Sequence, residues 1–288
     1  VTQAEKGAEQ ERFPLIVHLC KACAHAQLLD IVDPELLFRN YVYVSGTSPV
    51  FIDHFRQYAQ TLLELTGITQ GSRVLEIGSN DGTLLKFFKD AGMQVLGIDP
   101  ARLIAEAASK AGIPTRAEFF SSTLARQLKA EGWGNIPVIV ANNVFAHIHD
   151  IHDVMRGVVS LLTDDGVFVS ESHWVGNLTS EGGFDQIYHE HLSYYSLHAL
   201  LALASEHNLI ITDVELVPIH GASLRVYMQT KGKPSAAVTR LLAREKNLGL
   251  TTKHIFQDFG KKVRKNRTEV RAVLSRLRRG HKTIAGYG

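Results

Sequence analysis

Short apolar runs alternate with amphipathic segments along the middle of the chain. The runs that predict strands are "RVLEIG", "QVLGID", "PVIVANNV" and "GVFVSES". The segments between them, "GTLLKFFKDAG", "ARLIAEAASKAG", "SSTLARQLKAEG" and "HDVMRGVVSLL", repeat their apolar residues every three or four positions and predict helices. A further helix is predicted for "FIDHFRQYAQTLLELTG", which ends at Gly67. Strands that alternate with helices indicate parallel strands joined by right-handed crossovers, so we predict a doubly wound α/β sheet.

The later part of the chain breaks this alternation. Two strand-like runs, "LIITDVELVP" and "SLRVYMQT", are joined by "IHGA" without a helix, which predicts an antiparallel hairpin at an edge of the sheet. From about Lys233 the pattern is that of a long helix with a basic run. The chain begins at Val1 and stops after "IAGYG", so we expect both ends to be incomplete.

Composition limits the classes of partner. The chain has 288 residues, 45% of them hydrophobic and 21% charged, and a net charge of +2, which is typical of a globular protein and gives no reason to expect nucleic acid or membrane as a partner. No apolar run approaches the ~20 residues that span a bilayer, and the first residues lack the features of a signal peptide. We therefore expect a cytoplasmic protein, a monomer or small homo-oligomer, that binds a small molecule.

The two cysteines lie together in "HLCKACAH", as Cys20 and Cys23. A C-x-x-C pair in a reducing compartment is commonly half of a zinc site, but structural zinc takes four ligands. Half of a zinc site whose other ligands lie before Val1, an inert remnant, and a redox pair remain open as interpretations.

The stretch "VLEIGSNDGTLL" predicts a ligand site. A strand leads through Glu76 to Gly78 and Gly82, and glycines at the carboxyl end of a parallel strand let the backbone approach a ligand closely. The spacing differs from the G-x-G-x-x-G of dinucleotide sites, so it favours a ligand without phosphates. Asp99 ends the next strand, where it can accept hydrogen bonds from two ribose hydroxyls. An unrelated α/β enzyme with incidental glycines, and a helix-capping role for Asp81, are the alternatives.

This arrangement of an acid, two glycines and a second-strand acid resembles the class I S-adenosylmethionine (SAM)-dependent methyltransferases. The resemblance implies that SAM is the cofactor, that the loop "AEFF" reaches the adenine, and that "ANNVFAHI" lines the methionine end. The cofactor-binding residues that it implies are Glu76, Gly78, Asn80, Asp81, Gly82, Asp99, Pro100, Glu118, Phe119, Asn142 and Asn143.

Two histidine-rich stretches carry the candidate chemistry. "FAHIHDIHD" is close to the H-x-H-x-D-H ligand set of metallo-hydrolases, but Asp150 comes one position early. "YHEH", from Tyr188 to His191, could be a metal site such as that of a non-haem oxygenase, a solvated loop, or a set of acid/base groups. Acid/base work explains it best, because methylation of carbon requires removal of a proton beside a carbonyl group.

Together the motifs resemble the sugar C-methyltransferases of antibiotic and deoxysugar biosynthesis. The segments that carry this resemblance are "GGFDQIYHEHLSYYSL", the C-x-x-C followed by "YVYVSGTSP", and "HGASLRVY". The resemblance implies an N-terminal zinc-binding segment (residues 1–52), a SAM domain (53–232) and the beginning of a C-terminal α/β domain (233–288). The chain lacks the first C-x-x-C of that family, so it implies structural zinc only if further ligands precede it.

The same resemblance implies the reaction and its residues. The substrate would be a nucleotide-linked 4-keto-6-deoxysugar, with dTDP as the expected nucleotide, methylated at C3 through an enolate and with inversion. His191 would be the base, although from the residues alone only one of His189 and His191 is expected to face the substrate. The residues expected to position the base or bind the sugar oxygens are Tyr188, Glu190, His147 and Tyr43. Those expected to bind substrate are Tyr43, His220, Ser223 and Arg225, the last being equally explained as a structural ion pair.

Three other readings remain open. The chain could methylate oxygen or nitrogen of another small molecule. It could bind SAM or a nucleotide sugar without catalysis, or be a metal-dependent hydrolase or oxygenase.

Overall fold

The computed structural model of the protein describes residues 11–219 and 222–286. The strands are β1 (Val17–Leu19), β2 (Ala26–Leu28), β3 (Arg73–Ile77), β4 (Gln94–Ile98), β5 (Thr115–Arg116), β6 (Ile136–Asn142), β7 (Leu162–His173), β8 (Ser193–Tyr194), β9 (Ile210–Val217) and β10 (Ser223–Gln229). The α-helices are α1 (Pro34–Phe38), α2 (Pro49–Thr66), α3 (Thr83–Asp90), α4 (Arg102–Lys110), α5 (Ser122–Ala130), α6 (Ile151–Leu161), α7 (Val175–Glu181), α8 (Leu197–Glu206), α9 (Ala236–Leu248) and α10 (Lys253–Arg279).

The main sheet has the predicted doubly wound order. Within the described residues its seven strands run β5-β4-β3-β6-β7-β10-β9. Strands β3 to β7 pair in parallel, and β10 pairs antiparallel with both β7 and β9. The chain order reverses between β3 and β6, and such a switch point opens a crevice at the carboxyl ends of the strands. The predicted fold class, a doubly wound sheet with an antiparallel hairpin at one edge, is therefore confirmed.

The core lies on both faces of this sheet. Alternate residues of the central strands point to opposite sides, and both sides are apolar because helices cover each face. On one face Tyr58 and Leu62 of α2 pack with Phe88 of α3 against the valines of the strands. The other face is covered by α5, α6, α8 and α9. Helix α2 ends at Gly67 as predicted, and that residue has φ of 59°, a left-handed conformation that glycine adopts without strain.

A second, small sheet joins the N-terminal segment to the middle of the chain. Its order is β1-β2-β8, so the hairpin that follows the cysteine pair is completed by Ser193 and Tyr194, just after the "YHEH" stretch. The N-terminal residues and the acid/base cluster are thereby held in one body. Strands of two or three residues are too short to show hydrophobic alternation, so this pairing was not predicted from the sequence.

Beyond the hairpin the described chain forms helices. The predicted long helical pattern is resolved into α9 and α10, and between Lys233 and residue 286 the structure describes no strand. Helix α9 is attached through the buried carboxylate of Glu245, which accepts hydrogen bonds from Trp174 Nε1 at 2.8 Å and from the backbone N–H of Leu197 at 2.6 Å. In the part of the chain that the structure covers, no helix is both long enough and apolar enough to span a bilayer.

Candidate active site

A cleft of about 660 Å³ opens at the carboxyl ends of β3, β4 and β6. This volume lies within the range of small-molecule sites, roughly 300 to 1,000 Å³. Residues 33–47, which we call the N-terminal strap, form one wall of the cleft. The loops after the parallel strands and the Tyr188–His191 stretch form the rest.

The glycine loop after β3 is packed too closely for side chains. Gly78 has φ of 72°, and a Cβ atom on it would lie 2.7 Å from the Cβ of Val144. Gly82 has φ of 77°, and its Cβ would lie 2.8 Å from Cγ2 of Ile113. Both positions therefore require glycine on steric and conformational grounds. Asn80, between them, also has a positive φ of 48°.

Two buried carboxylates face this loop. Asp99 is 6% exposed and accepts hydrogen bonds from the backbone N–H of Asn80 at 2.8 Å and of Ala101 at 2.9 Å, one on each oxygen. Burial raises its pKa in spite of these bonds. Each oxygen of Asp99 keeps one further lone pair, so the two oxygens can still accept hydrogen bonds from two hydroxyls. Glu76 is 3% exposed, and burial raises its pKa well above the usual range.

Several acceptors in the cleft have no protein partner. Oε1 of Glu76 lies 3.3 Å from Nδ2 of Asn142, but Oε2 of Glu76 and the side-chain oxygens of Asn142 and Asn143 accept no hydrogen bond although they are buried. Buried acceptors of this kind are normally satisfied, so they point to donors on a ligand. The described lining includes eight carboxylates and neither lysine nor arginine. A cationic ligand with amino and hydroxyl donors, as SAM is, fits this lining.

The cofactor-binding residues expected from the resemblance all line this cleft, except Gly82. It packs against Ile113 at the end of the glycine loop. Asp81 accepts hydrogen bonds from the N–H of Thr83 at 3.2 Å and from the N–H of Gly46 at 2.9 Å. Asp81 therefore has a local role at the start of α3 and also anchors the strap to the glycine loop.

The acid/base cluster also lines the cleft. Nδ1 of His191 is 2.8 Å from the carbonyl oxygen of Gln186, and Nε2 is 3.0 Å from the hydroxyl of Tyr188. A carbonyl can only accept, so Nδ1 carries the proton in the neutral ring, and Nε2 has the lone pair that accepts from Tyr188. His191 is 5% exposed, whereas Tyr188 is 39% exposed and lies nearer the opening. The structure thus presents a basic nitrogen toward the cleft.

Two more histidines pack around His191. The rings of His147 and His173 each have their centroids 5.1 Å from that of His191. His147 is also stacked on Phe38, with ring centroids 5.3 Å apart and planes 10° apart. Burial, followed by the neighbouring histidines, lowers the pKa of His147 to about 3. His147 is therefore neutral at physiological pH.

The remaining residues of "YHEH" point elsewhere. Nε2 of His189 lies 3.2 Å and 3.3 Å from the carbonyl oxygens of Phe13 and Pro14, outside the cleft. Glu190 does not line the cleft either. It accepts a long hydrogen bond from the hydroxyl of Tyr41 at 3.5 Å, and burial raises its pKa. The structure thus brings His191, Tyr188, His147 and Tyr43 to the cleft and places Glu190 behind them.

Two of the expected substrate-binding residues, Ser223 and Arg225, are not in the cleft. Arg225 is 4% exposed and pairs with Glu171 at 2.8 Å and Glu215 at 3.0 Å, and its guanidinium lies 3.9 Å from the ring centroid of Tyr58. This is the structural ion pair that the sequence left open. Ser223 is fully buried and donates to the carbonyl of Ile219 at 3.2 Å. The expected role of His220 lies outside the described residues.

The cysteine pair lies in the turn between β1 and β2. Cys20 and Cys23 are both free thiols, and the N–H of Ala24 bonds to the carbonyl of Cys20 at 3.1 Å. Among residues 11–219 and 222–286, no three His, Cys, Asp or Glu side chains are grouped to hold a metal ion. The expected zinc half-site is therefore not supported, and neither is the alternative of a metal site at either histidine stretch.

Sequence reasoning missed four contributors to the site. Phe38 and Tyr41 come from the strap; the quoted segment "YVYVSGTSP" begins at Tyr41, but only Tyr43 of it was assigned a role. Gln186 acts through its backbone carbonyl, which no side-chain motif reveals. His173 could have been found, because it ends β7 at the same edge of the sheet where the other ligand residues were sought.

Two family models match the chain from residue 51 onward. A methyltransferase domain matches residues 51–214, and a C-methyltransferase C-terminal domain matches residues 218–288. The first of these matches covers more than half of the chain. It ends within β9, the first strand of the edge hairpin of the main sheet.

Individual proteins agree with this assignment. The C-methyltransferase NovU of Streptomyces niveus is 34% identical over 279 residues, which are 96% of this chain and 66% of NovU. The chain therefore spans slightly less than two thirds of that relative. A ubiquinone biosynthesis O-methyltransferase of Bordetella avium is 29% identical over 109 residues, 37% of this chain and 45% of that protein.

Among solved structures, the fold is similar to that of the PH0226 protein from Pyrococcus horikoshii. The TM-score is 0.53 at 15% identity, over 66% of this chain and 95% of that one. At this identity the likeness concerns the fold alone. The methyltransferase domain match, the glycine loop and the acidic cleft agree, and residues 218–288 are similar to a C-methyltransferase C-terminal domain; the chain belongs to the SAM-dependent methyltransferases.

Proposed function

We propose that the protein methylates C3 of a nucleotide-linked 4-keto-6-deoxysugar, with dTDP as the nucleotide and SAM as the methyl donor. The C-terminal domain match and the similarity to the C-methyltransferase NovU support C-methylation, and the sugar substrate rests on the sequence motifs that resemble the sugar C-methyltransferases. The observation that carries the proposal is the Tyr188–His191 pair in the cleft. An enzyme with this small-molecule substrate would work in the cytoplasm.

Carbon methylation explains why the cleft needs a base. An oxygen or nitrogen acceptor already has a lone pair, whereas a C–H group must first lose its proton, and a neighbouring keto group makes that feasible by delocalising the negative charge. His191 meets the requirement, since its Nδ1–H is fixed on the carbonyl of Gln186 and its Nε2 faces the cleft.

The proton transfer is assigned as follows. Nε2 of His191 takes the C3 proton, and the electron pair of the broken C–H bond moves toward the 4-keto oxygen to form an enolate. That nitrogen has one lone pair, so it cannot accept from Tyr188 and from the substrate at once. Tyr188 must therefore turn its O–H away from His191, and the enolate oxygen is then its natural acceptor. Entry of the substrate thus frees Nε2 of His191 and the O–H of Tyr188 at the same time.

His147 and Tyr43 would bind the sugar oxygens. His147 is neutral because its pKa lies near 3, so it can donate one hydrogen bond without adding a second positive charge beside protonated His191. Tyr43 is 44% exposed at the mouth of the cleft, in reach of a ligand there.

The cofactor end would be held by the groups described above. Asp99 would accept from the ribose hydroxyls, Glu76 and Asn142 from the amino group of the methionine part, and Phe119 would face the adenine. When bound, SAM would supply an electrophilic methyl group to C3 with inversion there, and its S–CH3 bond would break to leave S-adenosylhomocysteine.

The experiment is methyl transfer from SAM carrying a ¹³C-methyl group to a panel of dTDP-4-keto-6-deoxysugars, with the product examined by NMR. The proposal predicts a new methyl group bonded to C3, and no transfer with the His191→Asn variant. A methyl group on oxygen or nitrogen would instead support the other methyltransferase chemistry. S-adenosylhomocysteine binding without transfer to any of these sugars would contradict the proposed substrate class.

A further inference from the structure

The N-terminal strap contacts both the acid/base cluster and the glycine loop. Phe38 stacks on His147 of the acid/base cluster, and Tyr41 donates to Glu190. At its other end, the N–H groups of Ser45 and Gly46 bond to the side chains of the glycine loop at 3.0 and 2.9 Å. Arg39 directly follows Phe38 in the strap.

The guanidinium of Arg39 bridges two cofactor loops. Its Nη1 donates to the carbonyl of Ala117 at 3.0 Å and to the carbonyl of Pro100 at 3.4 Å. The same group lies 4.7 Å from the ring centroid of Phe119, within the range of a cation–π contact. Pro100 follows Asp99 after β4, whereas Ala117 and Phe119 follow β5. A single side chain therefore joins the loop of the ribose acceptor to the loop of the expected adenine contact.

Arg39 is itself held in a defined orientation. Glu35, one turn earlier, accepts from its Nε at 2.6 Å and from its Nη2 at 2.8 Å. This two-bond pairing fixes the plane of the guanidinium and leaves Nη1 directed at the two carbonyls. The side chain of Arg39 is 20% exposed to solvent, and it belongs to neither apolar core cluster.

We propose that Arg39 is a positioning residue for the methyl donor, which sets the spacing between Asp99 and Phe119. The inference rests on the SAM site of the proposed function and is independent of the acceptor. It assigns the strap a part in cofactor affinity, because strap and cofactor loops must be docked together for Asp99 and Phe119 to contact the same ligand.

The test is calorimetric titration of S-adenosylhomocysteine into the wild-type protein and into Arg39→Ala, Arg39→Lys, Asp99→Ala and Arg56→Ala. Arg56 is the matched control, because it also pairs with a carboxylate, at 2.7 Å, and lies over a phenylalanine ring, at 5.5 Å, but it is on α2 away from the cofactor loops. Arg39→Ala is expected to bind about tenfold more weakly. Arg39→Lys should recover part of the loss through its charge, and Arg56→Ala should bind like the wild type.

Readouts besides affinity separate positioning from folding. The ligand-free melting temperature of Arg39→Ala should stay within about 2 °C of the wild type, since Arg39 belongs to neither apolar core cluster. Adenosine alone should lose affinity by the same factor, and the KM for SAM should rise while kcat changes little. If Arg39→Ala fails to fold, the affinity of Arg39→Lys for S-adenosylhomocysteine is compared with that of the wild type instead.

The outcomes distinguish this inference from the proposed function. Wild-type affinity in Arg39→Ala, with binding weakened in Asp99→Ala, overturns the role of Arg39 and leaves the SAM site standing. Equal loss in Arg39→Ala and Arg56→Ala also overturns it. Absence of binding by the folded wild-type protein overturns both the SAM site and the inference.

Discussion

The hydroxyl of Tyr188 donates a hydrogen bond to Nε2 of His191 across 3.0 Å, while Nδ1 of the same ring is fixed on the carbonyl of Gln186. This arrangement selects the tautomer in which the basic nitrogen faces the cleft. It also blocks that nitrogen in the absence of substrate. His191 is therefore the base and Tyr188 the donor, and the hydrogen bond between them breaks when the substrate binds.

Tyr188→Phe should reveal the donor role. The variant keeps the ring and the position of His191 but loses the group that we assign to the enolate oxygen, so kcat should fall roughly tenfold to a hundredfold. S-adenosylhomocysteine affinity should not change, because Tyr188 lies away from the glycine loop. Steady-state kinetics together with calorimetry checks both statements, and an unchanged kcat would remove Tyr188 from the mechanism. Tyr194→Phe is the matched control, since Tyr194 lies in β8 and does not line the cleft.

Much of the fold followed from the sequence because the central strands are buried on both faces. Runs such as "RVLEIG" and "PVIVANNV" have few alternatives to a central parallel strand, and they lie where they were predicted, as β3 and β6. The β1-β2-β8 sheet did not follow, because its strands are two or three residues long and β2 pairs with β8 across a separation of more than 160 residues.

The candidate site was predictable where function depends on side chains at strand ends. Glu76 and Asp99 were found in this way, and the structure places both at the cleft. Arg225 was ambiguous because a strand residue gives no indication of its partner, and its position opposite Glu171 in the sheet makes it a structural residue. Contacts made by the strap depend on long-range docking, which periodicity does not encode.

Glu245→Gln should destabilise the protein strongly. The fully buried carboxylate accepts from Trp174, from the backbone N–H groups of Leu197 and His198, and from the ring of His198 at 2.7 Å. A glutamine would direct an N–H₂ group at donors, so we expect a loss of about 3 kcal/mol in the free energy of unfolding. Urea denaturation measures it, with the exposed Glu106→Gln as control. A loss no larger than that of the control would show that the carboxylate is not needed to attach α9.

Acid should destabilise the fold through two histidines. Burial lowers the pKa of His25 to about 4, and burial and neighbouring histidines lower that of His147 to about 3, from 6.5. Between these values and 6.5 the unfolded chain binds more protons than the folded chain, so stability rises with pH across this window and is lost as pH falls below 6.5.

Urea denaturation at pH 5 and pH 7.5 tests this linkage. His147→Gln should show a smaller difference between the two pH values than the wild type, because the variant no longer carries that titrating group. His149→Gln, at an exposed position two residues away, should behave like the wild type. Equal pH dependence in His147→Gln and the wild type would contradict the assignment.

The most direct test of the account is hydrogen exchange at C3. The protein is mixed with S-adenosylhomocysteine and a dTDP-4-keto-6-deoxysugar in D₂O, and loss of the C3 proton signal is followed by NMR against a sample without protein. We predict exchange with the wild type and with His189→Asn, but only the protein-free rate with His191→Asn, while all three bind S-adenosylhomocysteine equally. Exchange at the wild-type rate in His191→Asn would contradict the assignment of His191 as the base.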